Sequence, residues 1–257
     1  MPAPVLRALG TARELGLRLI SPVDELQRRG TASFHLPPLW LRRHSGPLAR
    51  IESSACEMAA LIESMDHVRS HDLILDLGCG PGAMTPWFAR KLGPGGRYVG
   101  IDIDSASIRW CRDRFHHDPR LRFETGDVSV PLCLEDGSAG FVLAKSVFTH
   151  LAEAGARSCL EEIRRVLSPC RTALVTAFLF DGIEGGRAAA PYFPFSSPDG
   201  SRRWRWKARP ASGIAFDRSF FEGLVEGAGL RVALFRPGFF PGAAIPAGQD
   251  ILFLARR

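Results

Sequence analysis

From about residue 51 onward, short apolar runs alternate with stretches whose apolar residues recur at helical spacing. That alternation is the pattern of parallel strands joined by crossover helices. Ile51, Ala55, Met58, Ile62 and Met65 predict a helix of several turns, followed by an apolar run from Leu73 to Leu77 that glycines terminate. A helix is predicted from near Ala83 to just before Gly93, where Pro94 breaks it. Arg97 to Ile103 reads as the second strand, and Ser105 as the N-cap of a helix burying Ile108, Cys111 and Phe115. Further strands are expected at Leu121 to Glu124, Phe141 to Ala144 and Ala173 to Phe178, with Leu160, Ile163 and Leu167 on one helix face between the last two.

Residues 181–214 break the pattern, being aperiodic and rich in Gly, Pro, Arg and aromatics. A segment of that length reads as a functional lid or an insertion rather than a plain connection. Asp217 then caps a helix that runs through Glu226 and ends at Gly229, and strands near Arg231 to Phe235 and Asp250 to Ala255 close the chain. The expected architecture is an α/β doubly wound sheet of seven strands, with a C-terminal antiparallel strand pair and the insertion after strand 5. It occupies residues 51–257, with residues 1–50 as an N-terminal helical extension.

Composition changes little: 46% hydrophobic and 23% charged residues describe an ordinary globular chain and exclude extensive disorder. No uncharged apolar run reaches the roughly 18 residues of a bilayer-spanning helix. Residues 1–20 carry Arg7, Arg13 and Arg18, but Glu14 interrupts them and no signal-type apolar core follows. A secretory signal is therefore not expected, and an organellar transit peptide is the second reading. The six cysteines form no CxxC pair and no zinc spacing, so they read as small buried residues in a reducing, cytoplasmic compartment. The net charge of +6 is uneven: residues 1–50 carry +5, residues 51–200 carry −5 and residues 201–257 carry +6.

The chemistry starts at Asp76-Leu77-Gly78-Cys79-Gly80-Pro81-Gly82, where glycines follow a strand and precede a helix. Glycine lets the chain turn tightly there and lets a ligand approach main-chain N–H groups. Asp102 ends the second strand 26 residues after Asp76, and Asp127 follows the third strand 25 residues later. Three carboxylates, one per βα unit, then share the C-terminal edge of a parallel sheet, where open α/β sheets bind ligands.

These residues resemble the class I S-adenosylmethionine-dependent methyltransferases, whose fold is Rossmann-like. The segments that carry the likeness are Leu75 to Gly82, Val99-Gly100-Ile101-Asp102, Gly126-Asp127-Val128, Ser146 to Leu151 and Glu162 to Leu167. The resemblance is strongest to enzymes acting on small molecules. It implies that Asp76, Gly78, Cys79, Gly80 and Gly82 hold the methionine moiety, that Asp102 takes the ribose hydroxyls and that Asp127 with the Val128 amide reads the adenine. Ile103 and Lys145 are counted with these cofactor-binding residues. A carboxylate can accept from both hydroxyls of a diol, and an acidic rim suits a cofactor carrying a sulfonium and an ammonium better than it suits a pyrophosphate. Two positions depart from the family pattern: Gly140-Phe141-Val142 lacks an acid after the phenylalanine, and Pro169-Cys170-Arg171 replaces Pro-Gly-Gly.

Methyl transfer from a sulfonium needs alignment and, for an oxygen acceptor, a base. His150 is the candidate base, because an imidazole can take a hydroxyl proton near neutral pH, and packing or hydrogen bonding at a helix start is its alternative role. For the acceptor, Trp204, Arg205 and Trp206 in the run Arg202 to Lys207 are expected to line a lid strand, with burial of the tryptophans the equal alternative. His44 joins them if the N-terminal segment folds over the cofactor. No cluster has metal-ligand spacing. The expected activity is methylation of a small or medium-sized acceptor, most readily at oxygen, with S-adenosylmethionine converted to S-adenosylhomocysteine.

Three other readings compete. A nucleic-acid methyltransferase fits the basic flanks, but Ala144-Lys145-Ser146-Val147 stands where amino-methylating enzymes of that kind carry Asp/Asn-Pro-Pro-aromatic. A nicotinamide oxidoreductase fits the glycines, but Asp76 and the closing strand pair argue against it. A non-catalytic partner protein that binds the cofactor is the third.

Overall fold

The apolar runs form five parallel strands, β1 (Leu73–Leu77), β2 (Arg97–Asp102), β3 (Leu121–Thr125), β4 (Ala139–Ala144) and β5 (Leu167–Phe180). They lie in the order β3-β2-β1-β4-β5 in a computed structural model. It describes residues 3–28, 36–42, 51–180, 197–199, 201–204, 213–238 and 249–257. From β1 the chain winds outward through β2 and β3, then returns to add β4 and β5 on the other side. The reversal leaves a crevice between the C-terminal ends of β1 and β4.

Two antiparallel strands, β10 (Asp250–Arg256) on β5 and β9 (Leu230–Arg236) on β10, complete the expected seven. Three short strands lie beyond these seven: one falls in the run Arg202 to Lys207 that reads as a lid strand, and the other two were not expected. The last residues of β5, Phe178 to Phe180, pair in parallel with β8 (Ile214–Asp217). β7 (Arg202–Trp204) and β6 (Ser197–Asp199) extend the sheet from there in antiparallel fashion. Part of the aperiodic segment is therefore sheet.

Strands this apolar must be covered on both faces, and the alternation of side chains sorts them. Leu75, Leu77, Val142 and Ala144 face one core, shared with α5 (Glu153–Val166) and α6 (Arg218–Gly227). Ile74, Tyr98, Phe141 and Leu143 face the other, shared with α2 (Ile51–Ser64), α3 (Thr85–Lys91) and α4 (Ser105–Phe115). Asp76 has the same parity as Ile74, which directs its side chain to the α2–α4 face.

The cap of α6 is Asp217 as expected, its side chain accepting from Phe220 N at 3.0 Å. The cap of α4 is Asp104 rather than Ser105, because the Asp104 carboxylate accepts from Ala106 N and from the Ser107 hydroxyl. All six cysteines are free, but Cys56, Cys133 and Cys170 are exposed, which corrects the expectation that all are buried. At the N-terminal end α1 (Ala3–Arg28) is joined to residues 36–42 by the Arg42–Asp24 ion pair and by Arg18 lying 3.9 Å over the Trp40 ring. Among the described residues no helix is long and apolar enough to cross a membrane.

Candidate active site

The first half of the glycine loop is tied to β2. Gly78 N and Cys79 N donate to Ile101 O at 2.8 and 3.1 Å, and Gly80 N donates to the Asp102 Oδ2 at 2.7 Å. Gly78 has φ +69°, and a Cβ there would stand 2.6 Å from the Val147 Cγ2. A side chain at this position would therefore be strained and would collide with the turn after β4. The glycine loop and the turn after β4 therefore approach closely at Gly78 and Val147.

Asp102 takes a second backbone donor, Asp104 N, on Oδ1 at 2.8 Å. A carboxylate is an acceptor at both oxygens, and these two N–H bonds orient it. Ile103 beside it is 73% exposed, an apolar side chain offered at the ligand edge. Asp127, exposed after β3, accepts from Ser129 N at 2.9 Å and Ser129 Oγ at 2.6 Å. Both bonds fall on Oδ1 and hold the carboxyl below its ordinary range, and Oδ2 has no hydrogen-bond partner among the described residues. Val128 is half-buried and packs against the α5–α6 core.

Asp76 is 3% exposed, and the buried Tyr98 hydroxyl donates to it at 2.8 Å. Thr85 Oγ1 in turn donates to the Tyr98 oxygen at 3.1 Å. Burial pushes the Asp76 carboxyl up to about 7, while the Tyr98 bond and the charge of Lys145 pull it back. Burial also drives the Cys79 thiol well above its ordinary value, and Cys79 Sγ points to Gly80 O at 3.6 Å, so Cys79 shapes the loop without thiolate chemistry.

The turn after β4, read from the sequence as part of the site, is held by two residues that sequence reading missed, Thr176 and Gln249. Ser146 has φ +63°, and its N–H donates to Thr176 Oγ1 at 2.8 Å. Thr176 Oγ1 donates to Gln249 Oε1, and Gln249 Nε2 donates to Ser146 Oγ at 2.8 Å, closing a ring across β4, β5 and the approach to β10. Thr149 Oγ1 donates to Ser146 O at 2.8 Å, and Thr149 O accepts from Ile214 N at 2.8 Å. His150 is exposed in this turn, its N–H donating to Val147 O at 2.9 Å, and α5 starts only at Glu153.

On the acceptor side the structure separates the candidates. Trp204 is 7% exposed and packed in the α5–α6 core, so it fills the interior. Its neighbour Arg202 bonds Glu153 at 3.1 Å. His44, Arg205 and Trp206 lie outside the described residues. Among the described residues no group of three or more His, Cys, Asp or Glu could hold a metal ion.

Three carboxylates, a glycine loop and an apolar residue thus meet at the C-terminal ends of three adjacent parallel strands. That donor set fits a ligand with a ribose diol, an exocyclic amine and a cationic end.

Residues 74–170 match a family described as a methyltransferase domain. The chain is 34% identical over 122 residues to an uncharacterized 37.1 kDa protein in transposon TN4556 of Streptomyces fradiae, covering 48% of this chain and 34% of that one. It is 30% identical over 111 residues to the ubiquinone/menaquinone biosynthesis C-methyltransferase of Hydrogenovibrio crunogenus, covering 43% of this chain and 44% of that one. It therefore spans less than half the length of these curated relatives. Among solved structures, the Burkholderia thailandensis 1,6-didemethyltoxoflavin-N1-methyltransferase with bound S-adenosylhomocysteine superposes with a TM-score of 0.58. Its identity is 17%, over 84% of each chain.

Proposed function

We propose that this chain, a class I S-adenosylmethionine-dependent methyltransferase through residues 74–170, methylates a small or medium-sized acceptor at oxygen, with His150 as the base. The observation that carries the cofactor assignment is the bond from Gly80 N to Asp102 on a sheet edge that also presents Asp76 and Asp127. The bound cofactor would supply an electrophilic methyl group on a sulfonium.

The protein's own residues do the rest. Asp102 accepts from the ribose hydroxyls, Asp127 and the Val128 amide read the adenine edge, and Ile103 covers its face. Gly78 to Gly82 and Asp76 receive the methionine end. The Ser146 turn, held by Thr176 and Gln249, sets the position of Lys145 and His150 beside the crevice. His150, exposed on that turn, takes the acceptor proton.

The relatives named above methylate carbon in one case and nitrogen in another by their names, so oxygen rests on His150 alone. The six free thiols support a reducing, cytoplasmic setting.

A thermal-shift series tests the core of this reading. S-adenosylhomocysteine at about 100 times its dissociation constant stabilises a folded binder by about 2.7 kcal/mol. A clear upward shift with it and none with NAD is expected. The reverse result overturns the reading.

A further inference from the structure

The N-terminal helix α1 meets residues 36–42 through its charged side. Asp24 pairs with the buried Arg42, Arg18 bonds Glu14 and lies over the Trp40 ring, and Ser21 on the same side is buried. The apolar side is turned outward: Leu15, Leu19, Ile20, Val23 and Leu26 are each 51–71% exposed. Among the described residues only two other large apolar side chains are exposed, Ile103 and Val130. Single exposed leucines are ordinary on a protein surface, but five such side chains between Leu15 and Leu26 make a patch.

The helical turn arranges these positions. Leu15, Leu19, Val23 and Leu26 follow one another at three- and four-residue steps and share one stripe, with Ile20 on its border. Arg13 and Arg18 are placed about 120° and about 100° from Leu19 on its two sides, and every other charged residue of α1 lies farther round. More than half of the circumference is therefore free of charge. The three acids of residues 1–50, Glu14, Asp24 and Glu25, are all on the far side, while the segment as a whole carries +5.

A wide charge-free arc bordered by arginines is the form of a helix that lies in a lipid interface. Charge decides among the occupants of such a face. A second copy of this chain would set another +5 against the first, whereas an anionic lipid surface brings the opposite sign. We propose that α1 lies along an anionic phospholipid surface, its stripe from Leu15 to Leu26 entering the acyl boundary and positions Arg13 and Arg18 standing at headgroup level. It lies on the bilayer and does not span it, since no described helix is long and apolar enough to cross. Membrane binding of this kind stands apart from the methyltransferase reading.

Vesicle flotation of the full chain tests it. Wild type floats with vesicles of phosphatidylcholine containing about one-third phosphatidylglycerol and binds pure phosphatidylcholine at least about 10-fold more weakly. At an ionic strength of about 1 M the screening length falls to about 3 Å, and the preference for anionic vesicles is lost. Leu19→Glu lowers partitioning onto the anionic vesicles about 10- to 100-fold, the scale of withdrawing one buried leucine. Its melting temperature stays at the wild-type value because the side chain already faces solvent. If Leu19→Glu does not fold, Leu26→Ser takes its place with the same expected loss of binding. A wild-type chain that stays in solution overturns the proposal, as does equal binding to neutral and anionic vesicles or undiminished binding by the stripe variant. Sedimentation velocity then identifies the occupant: a wild-type dimer that Leu19→Glu dissociates marks a second copy, and a monomer leaves a partner protein with an apolar groove.

Discussion

Arg171 pairs with Asp72 across 99 residues of chain, at the edge of the sheet opposite the crevice. The Arg171 Nε also donates to Gly140 O at 2.7 Å, and Asp72 Oδ2 accepts from Arg69 N at 2.7 Å. This cluster accounts for the departure at Pro169-Cys170-Arg171 and for the glycine at 140. Gly140 is required because a Cβ there would stand 2.3 Å from Asp72 Oδ1, and Cys170 takes the left-handed φ of +60° that a glycine would otherwise adopt. An arginine then sits where the ion pair needs it.

Arg171→Ala leaves Asp72 buried without its cation and is expected to cost about 3–5 kcal/mol in urea unfolding. Gly140→Ala is expected to destabilise as well, since the new methyl overlaps a carboxylate held in place by two donors, Arg69 N and Arg171.

The Asp76 carboxyl gives a pH signature. Its value rises from 3.8 in the unfolded chain to about 7 in the fold. Between those values the folded state holds a proton that the unfolded state has lost. The contribution of Asp76 is therefore fully present below 3.8 and is lost as pH rises to about 7, at a cost on the order of 4 kcal/mol. Asp76→Asn is expected to be more stable than wild type at pH 8 and closer to it at pH 5, by urea unfolding of the ligand-free protein. It should also lose any increase in S-adenosylhomocysteine affinity that wild type shows as pH rises through 7.

Thr176 is the acceptor for Ser146 N at a backbone position with φ +63°. Thr176→Val removes that acceptor and also the donor to Gln249, and is expected to destabilise by about 1–3 kcal/mol. Because Asp102 and Asp127 lie on the other side of β1, the affinity for 5′-methylthioadenosine should change little. Calorimetry alongside denaturation separates the two effects.

His150→Ala tests the base. The side chain is exposed, so stability should change by less than about 0.5 kcal/mol. Once a screen has identified an acceptor, turnover should fall about 10²- to 10⁴-fold for an oxygen acceptor while S-adenosylhomocysteine binding holds. Full turnover by the variant removes His150 from the mechanism.

Much of the sheet was readable because its strands are continuous apolar runs that differ sharply from the helical spacing between them. Runs such as Leu73 to Leu77 are too short for a helix and are ended by glycines, which leaves a strand buried on both faces as the reading. The glycine loop and its three acids were readable for a related reason: each lies at a strand end, and the chain order places those ends together.

The short strands β6 and β8, of three and four residues, were invisible. So brief a run carries no period, and its strand character comes from pairing with the end of β5. Trp204 shows the same dependence, since alternation could not say which face of its strand would be covered, and the α5–α6 core covers it.

By itself, then, the sequence determined the order of strands and helices, the turn at Gly78 to Gly82 and the acids at the strand ends, because local periodicity and backbone sterics act within a few residues. Only the tertiary structure decided the partners of those acids. Tyr98 beside Asp76, Thr176 and Gln249 beneath Ser146, and Arg171 over Asp72 come from separate elements. Strand register and helix packing bring them together, and no spacing along the chain encodes either.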